Sequence, residues 1–135
     1  MSQKKYLLDS NICIHLLRKR PEIVAGIKRV GWSNCCLSEM TVVELIYGAE
    51  CSMRREENLR EVEAFVASMT VLPLSTSIPE FCHQKAELRR QGLLIEDFDM
   101  FIGCTAVAND CIMVTENIKH MSRIEGILLE NWVMR

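Results

Sequence analysis

The chain counts 135 residues, 49% of them apolar and 25% charged, with a formal net charge of −2, and is expected to fold as one domain over residues 1–135 around a single two- or three-layer core. Seven cysteines, odd in number and without a CxxC pair, exclude a zinc ribbon or a disulfide frame and read as reduced residues of a cytoplasmic protein. No apolar run approaches membrane-spanning length, and Lys4-Lys5 leads only into Tyr6-Leu7-Leu8 where a signal peptide would carry a longer apolar core.

Tyr6-Leu7-Leu8 reads as a short strand ending at Asp9-Ser10-Asn11, whose short polar side chains can cap the helix carrying Ile12, His15 and Leu16. That helix stops before Pro21, which can occupy the first turn of a second helix running to Gly31. Cys35-Cys36-Leu37 is the second strand, after which Ser38 or Thr41 opens a helix through Val42, Val43, Leu45, Ile46 and Ala49. A charged helix covers roughly 54–68, and Val71-Leu72-Pro73-Leu74 is the third strand. Ile78, Phe81, Cys82 and Leu88 fall at helical spacing up to Gln91, with Gly92 closing the helix. The next helix runs from Asp97 to Asn109 with a small-residue face, followed by the strand Ile112-Met113-Val114-Thr115 and a fifth at Ile127-Leu128-Leu129. Short apolar strands alternating with helices predict an α/β fold, a parallel sheet with helices on both faces. The basic clusters Arg18-Lys19-Arg20, Lys28-Arg29, Arg54-Arg55 and Arg89-Arg90 lie near helix ends, where they suit solvent and the helix dipole.

Aspartate is scarce, four residues against fourteen glutamates, so its placement carries weight. Helix starts in right-handed βαβ units lie at the carboxyl edge of the sheet. Asp9 ends a strand, Glu44 lies one turn into a helix, Asp97 and Asp99 open another, and Glu116-Asn117 follow the fourth strand. All are delivered to one edge, where open α/β sheets build their sites. Carboxylates gathered there, without clustered His or Cys, suit Mg²⁺ or Mn²⁺ and metal-assisted hydrolysis of a phosphodiester. They are expected to converge closely enough to share an ion. Each acid also has a structural explanation: Asp9 can cap a helix, Thr41-Val42-Val43-Glu44 matches a capping box, and Asp97 or Asp99 suits a helix N-terminus. Glu44 strains that explanation, because Val42, Val43, Leu45 and Ile46 around it predict a buried helix in which a lone carboxylate needs a partner. Asp110, beside Asn109, reads as turn chemistry.

In order and at matching spacing, YLLDSNICIHLL, LSEMTVVELIYGAE, DFDMFIGCTAVAND and IMVTENIKHMSRIEGILLENW resemble the PIN-domain ribonuclease toxins of VapBC toxin–antitoxin systems, least clearly over 52–92. The resemblance implies a three-layer α/β/α fold around a parallel sheet of four to five strands. It implies an endoribonuclease using Mg²⁺ or Mn²⁺ held by Asp9, Glu44 and Asp99, with Glu116 as an additional candidate ligand. Ser10, Asp97, Thr115 and Asn117 fall around these acids, where they would orient them or touch substrate. Asn117 stands where many relatives carry Asp, which favours one tightly held ion over two. A cognate antitoxin, a toxin homodimer, structured RNA (tRNA or rRNA) as substrate and promoter DNA bound only through the antitoxin are implied as well.

Four other readings compete. A phosphorelay receiver needs an acceptor Asp after the third strand, where Leu72-Pro73-Leu74-Ser75-Thr76 has none. A dehalogenase-like phosphatase needs a second acid at Asn11. A housekeeping PIN nuclease of RNA processing, or a PIN-like binding module without turnover, stays open. His15 reads as a packed helix residue, and His120 as a surface residue near the site.

Overall fold

Successive strand residues face opposite sides of a sheet, and in Tyr6-Leu7-Leu8 both sides are apolar, so each must be covered by helices. A computed structural model, which describes residues 4–135, shows that arrangement; Met1, Ser2 and Gln3 of the expected 1–135 unit lie outside the described residues. The strands are β1 (Lys5–Leu8), β2 (Cys35–Ser38), β3 (Thr70–Leu72), β4 (Cys111–Val114) and β5 (Leu128–Glu130). They form one sheet in the order β3-β2-β1-β4-β5, with every pairing parallel. The expected parallel sheet is present with five strands. The third strand stops at Leu72, since Pro73 has no N–H for the ladder and Leu74–Ser77 winds into a 3₁₀ turn.

The helices are α1 (Ser10–Leu17), α2 (Pro21–Val30), α3 (Glu39–Glu50), α4 (Arg55–Ala67), α5 (Ile78–Gln91), α6 (Asp97–Ala108) and the single turn α7 (Ile118–Met121). On one face Leu8, Cys35, Leu37 and Val114 pack with Ile12, Ile23, Ile27, Leu45, Val62 and Phe65 of the first four helices. On the other, Leu7, Cys36, Cys111 and Met113 pack with Leu88 of α5, Ile102, Cys104 and Ala106 of α6, and Met121. The small-residue face of α6 lets that helix lie close: a Cβ on Gly103 would stand 2.4 Å from Ile124 Cδ1.

Most helix ends follow the sequence signals. Pro21 sits in the first turn of α2, and Gly92 closes α5 in the left-handed region at φ 70°. Asp110 turns the chain after α6 with a positive φ of 54°. The capping box at Thr41–Glu44 is not formed. Ser38 caps α3, accepting from the Met40 N–H at 3.0 Å, which places Thr41 one turn in and frees Glu44 for other contacts. The expectation of a buried α3 also fails. Leu45 and Ala49 face the core, but Val43, Ile46 and Tyr47 are exposed.

Candidate active site

Asp9 is the junction of β1 and α1. Its backbone N–H continues the ladder to the Val114 carbonyl at 3.0 Å, and the chain then turns directly into the helix. Its side chain is 6% exposed and both oxygens are held: Oδ1 accepts from the Ser10 N–H at 2.8 Å, and Oδ2 accepts from the Thr115 hydroxyl at 2.7 Å. Burial pushes the Asp9 carboxyl above its ordinary range, against the opposing pull of these two donors. Thr115, fully buried just past β4, also accepts from the Asn117 N–H at 2.9 Å. One hydroxyl therefore joins Asp9 to the turn that carries Glu116 and Asn117.

The Ser10 hydroxyl donates to Glu44 Oε1 at 2.5 Å and lies 3.3 Å from the hydroxyl of buried Thr41. Residues 34 positions apart are thereby tied across the α1–α3 seam. Asp99, in the first turn of α6, completes the group. Its carboxyl is pushed up to about 6 by burial first, and then by the negative charges of Asp9, Glu44 and Glu96. Asp99 is therefore near enough to those carboxylates for their charges to act on it. Among the described residues none of Asp9, Glu44 and Asp99 takes part in an ion pair, so their repulsion is not offset by a protein cation.

The remaining sequence candidates divide. Glu116 is engaged from two sides, with His15 Nε2 at 2.7 Å and Arg135 Nη2 at 2.6 Å, and these partners hold its carboxyl below the usual range. This half-buried pair with His15 was not foreseen, because the two residues lie 101 positions apart. Glu116→Gln keeps a hydrogen-bonding side chain for these two partners and loses only their charge attraction, partly screened by water, so it is expected to lower cleavage far less than an Asp99 variant does. A loss as complete as that of an Asp99 variant, in the same steady-state assay, would assign it to the ligand set. Asn117 stands at the N-terminal cap position of α7 and makes no side-chain capping bond there. Asp97 is turned outward to Lys85 Nζ at 2.8 Å, while Glu96, unremarked in the sequence, acts on Asp99. Glu96 and Asp99 share with Leu94, Ile95 and His120 the walls of an open cleft of about 480 Å³.

An all-oxygen, uncompensated acidic group has the donor chemistry of a hard divalent cation. It is not a closed ligand shell: among the described residues no three His, Cys, Asp or Glu side chains stand close enough to hold an ion as they are. The expectation of three carboxylates already sharing a site is corrected accordingly, since uncompensated like charges hold apart. The donors still fit Mg²⁺, which keeps several waters and needs only one or two carboxylates.

The PIN domain family matches residues 6–127. The tRNA(fMet)-specific endonuclease VapC of Salmonella typhimurium is 36% identical over 129 residues, covering 95% of this chain and 98% of that protein. The chain belongs to the PIN-domain ribonucleases of the VapC type. Ribonuclease VapC2 of Haemophilus influenzae is 35% identical over 96% of this chain and 98% of its own length. Among solved structures, DNA-bound VapBC of Salmonella typhimurium superposes with a TM-score of 0.90 at 34% identity, covering 97% of this chain and all of that one. VapBC2 of Rickettsia felis, bound to a fragment of its promoter, gives 0.87 at 28% identity over 95% and 98%. A VapC-type PIN domain is thus the frame in which Asp9, Glu44 and Asp99 are gathered.

Proposed function

We propose that the protein is the toxin of a type II toxin–antitoxin pair, an endoribonuclease that hydrolyses phosphodiester bonds of structured RNA, tRNA or rRNA, at the edge bearing Asp9, Glu44 and Asp99. The observation that carries this is the uncompensated carboxylate group, in a chain that matches VapC ribonucleases over nearly its whole length. Asp9, Asp99 and Glu44 would hold a divalent cation, Mg²⁺ or Mn²⁺, which when bound would supply charge neutralisation and an acidified water. The protein's own part is positioning. Thr115 and the Ser10 N–H fix both oxygens of Asp9, and the Ser10 hydroxyl sets Glu44. Glu116, tied to His15 and Arg135, anchors the turn that holds Thr115 against Asp9 and presents Asn117 to substrate.

The pairing with an antitoxin rests on the VapBC complexes that superpose on the chain. The antitoxin blocks the toxin and carries the contacts to promoter DNA, and the toxin acts as a homodimer. The S. typhimurium relative makes initiator tRNA the first substrate to try. Among the described residues no helix is long and apolar enough to cross a membrane. All seven cysteines are free, which supports a reducing cytoplasm.

In the test, purified protein is incubated with an initiator-tRNA transcript. EDTA is expected to abolish cleavage, Mg²⁺ or Mn²⁺ to restore it, and a co-purified antitoxin encoded beside the gene to suppress it. Robust cleavage in excess EDTA, by protein free of contaminating nuclease, overturns the metal-dependent reading.

A further inference from the structure

Next to Glu44 the surface is not polar. Val43 and Tyr47 of α3 and Phe98 of α6 are 48%, 69% and 42% exposed. With Glu44 they line a half-open pocket of about 440 Å³. The chain has only eight aromatic residues, and of the three whose side chains are exposed among the described residues, two stand here. The third, Trp32, spends its indole N–H on the Ser68 carbonyl elsewhere. Tyr47, in the second half of α3, is the most exposed of the three. Phe98 lies between Asp97 and Asp99, so its helix turn also carries one of the acids.

We infer that Tyr47 and Phe98 form a nucleobase-binding subsite, in which an unpaired base of the RNA stacks beside the scissile phosphodiester. The inference rests on the ribonuclease reading above for where the scissile bond lies. Single-stranded RNA is recognised by splayed bases stacked on aromatic side chains, and such stacking tolerates any base because every base has a π-face. A pocket with aromatic rings on two helices and a carboxylate in its wall fits that ligand. A base can turn its edge amino groups toward the Glu44 oxygen that Ser10 does not hold, a partner that a purely apolar protein surface lacks. Three side chains also fall well short of the ~800 Å² per partner that a stable protein interface covers. The subsite explains why α3 leaves apolar residues in water beside the acids: they are held for substrate.

The experiment uses the full chain and two RNAs. Single-turnover cleavage of the initiator-tRNA transcript over a range of protein concentrations separates binding from chemistry. Tyr47→Leu and Phe98→Leu are expected to raise the half-saturating concentration roughly 5- to 150-fold and to leave the maximal rate little changed. The aromatic replacements Tyr47→Phe and Phe98→Tyr should recover most of that loss, and Ile78→Ala, an exposed apolar change on α5, should have no effect. Binding of a short single-stranded RNA carrying one 2-aminopurine, followed in EDTA by the fluorescence change on stacking, reports the subsite without any cleavage.

If the wild type cleaves neither RNA but its stacking signal is lost in the leucine variants, the ribonuclease reading fails and the subsite stands. If the leucine variants cleave and stack like the wild type, the subsite is overturned and the ribonuclease reading stands. Leucine variants whose sedimenting mass falls would show the face to be a contact between protein copies, which also overturns the proposal. Should the variants not fold, hydroxyl-radical footprinting of the wild type decides: Tyr47 and Phe98 must be protected by the 2-aminopurine RNA, and no protection ends the idea.

Discussion

Asp99→Asn is expected to leave almost no RNA cleavage and, in the same protein, a more stable metal-free fold. Both effects come from one charge. Burial and the neighbouring Asp9, Glu44 and Glu96 raise the Asp99 carboxyl from its ordinary 3.8 to about 6. A carboxyl whose folded value lies above its unfolded value favours the fold when protonated. Its contribution is fully present below about 3.8 and is lost as pH rises through about 6. At neutral pH the metal-free wild type therefore bears the full repulsion, and an uncharged Asn of similar shape does not. Urea unfolding in EDTA should give a higher midpoint for the variant, by a margin that grows from about pH 4 to pH 7 and levels off above. The gain should be modest, because Asp99 is only partly buried and water screens what remains. Losing a charged ligand position, in contrast, removes the neutralisation on which the attack depends. A variant less stable than wild type at pH 8 would make Asp99 a structural partner of its helix, and the site assignment would fall with it.

That separation of stability from activity also explains what the sequence could and could not reveal. Strands such as Tyr6-Leu7-Leu8 and helix stops such as Pro21 and Gly92 act through local chemistry, so the alternation of elements and the parallel sheet were legible in advance. The nearness of Asp9, Glu44 and Asp99 was legible because chain direction alone brings strand ends and helix starts to one edge. Orientation within a turn was not. Asp97 and Glu96 flank the same helix start, and only the ion pair to Lys85 shows that Asp97 turns outward. Glu44 seemed to need a buried helix because Val42, Val43, Leu45 and Ile46 around it are apolar, yet two of them, Val43 and Ile46, face solvent. Hydrophobic sequence marks a face to be covered, and does not say whether core or ligand covers it. The His15–Glu116–Arg135 chain gave no local signal, since it joins the end of α1, a loop and the last residue.

Thr115→Val is expected to lower stability and cleavage together, the opposite pattern from Asp99→Asn. Val matches the shape of Thr but removes the hydroxyl that donates to Asp9 Oδ2 at 2.7 Å and accepts from the Asn117 N–H at 2.9 Å. The site is fully buried, so water cannot take over either role. A hydrogen bond to a charged group contributes about 1.5–3 kcal/mol, and the fall in the urea midpoint at neutral pH should correspond to that range. The Asp9 carboxyl, already raised by burial, loses one of the two donors that lower it and rises further. Its ionised form then appears only at higher pH, so the acid limb of the cleavage profile should move upward and the turn bearing Asn117 should loosen. Thr115→Ser restores the hydroxyl at the expense of one methyl group, and should bring the pH profile back while recovering only part of the stability. That split identifies the hydroxyl, and not packing, as what Asp9 depends on. A Thr115→Val protein with the wild-type pH profile would show that Asp9 is oriented by its backbone contact alone.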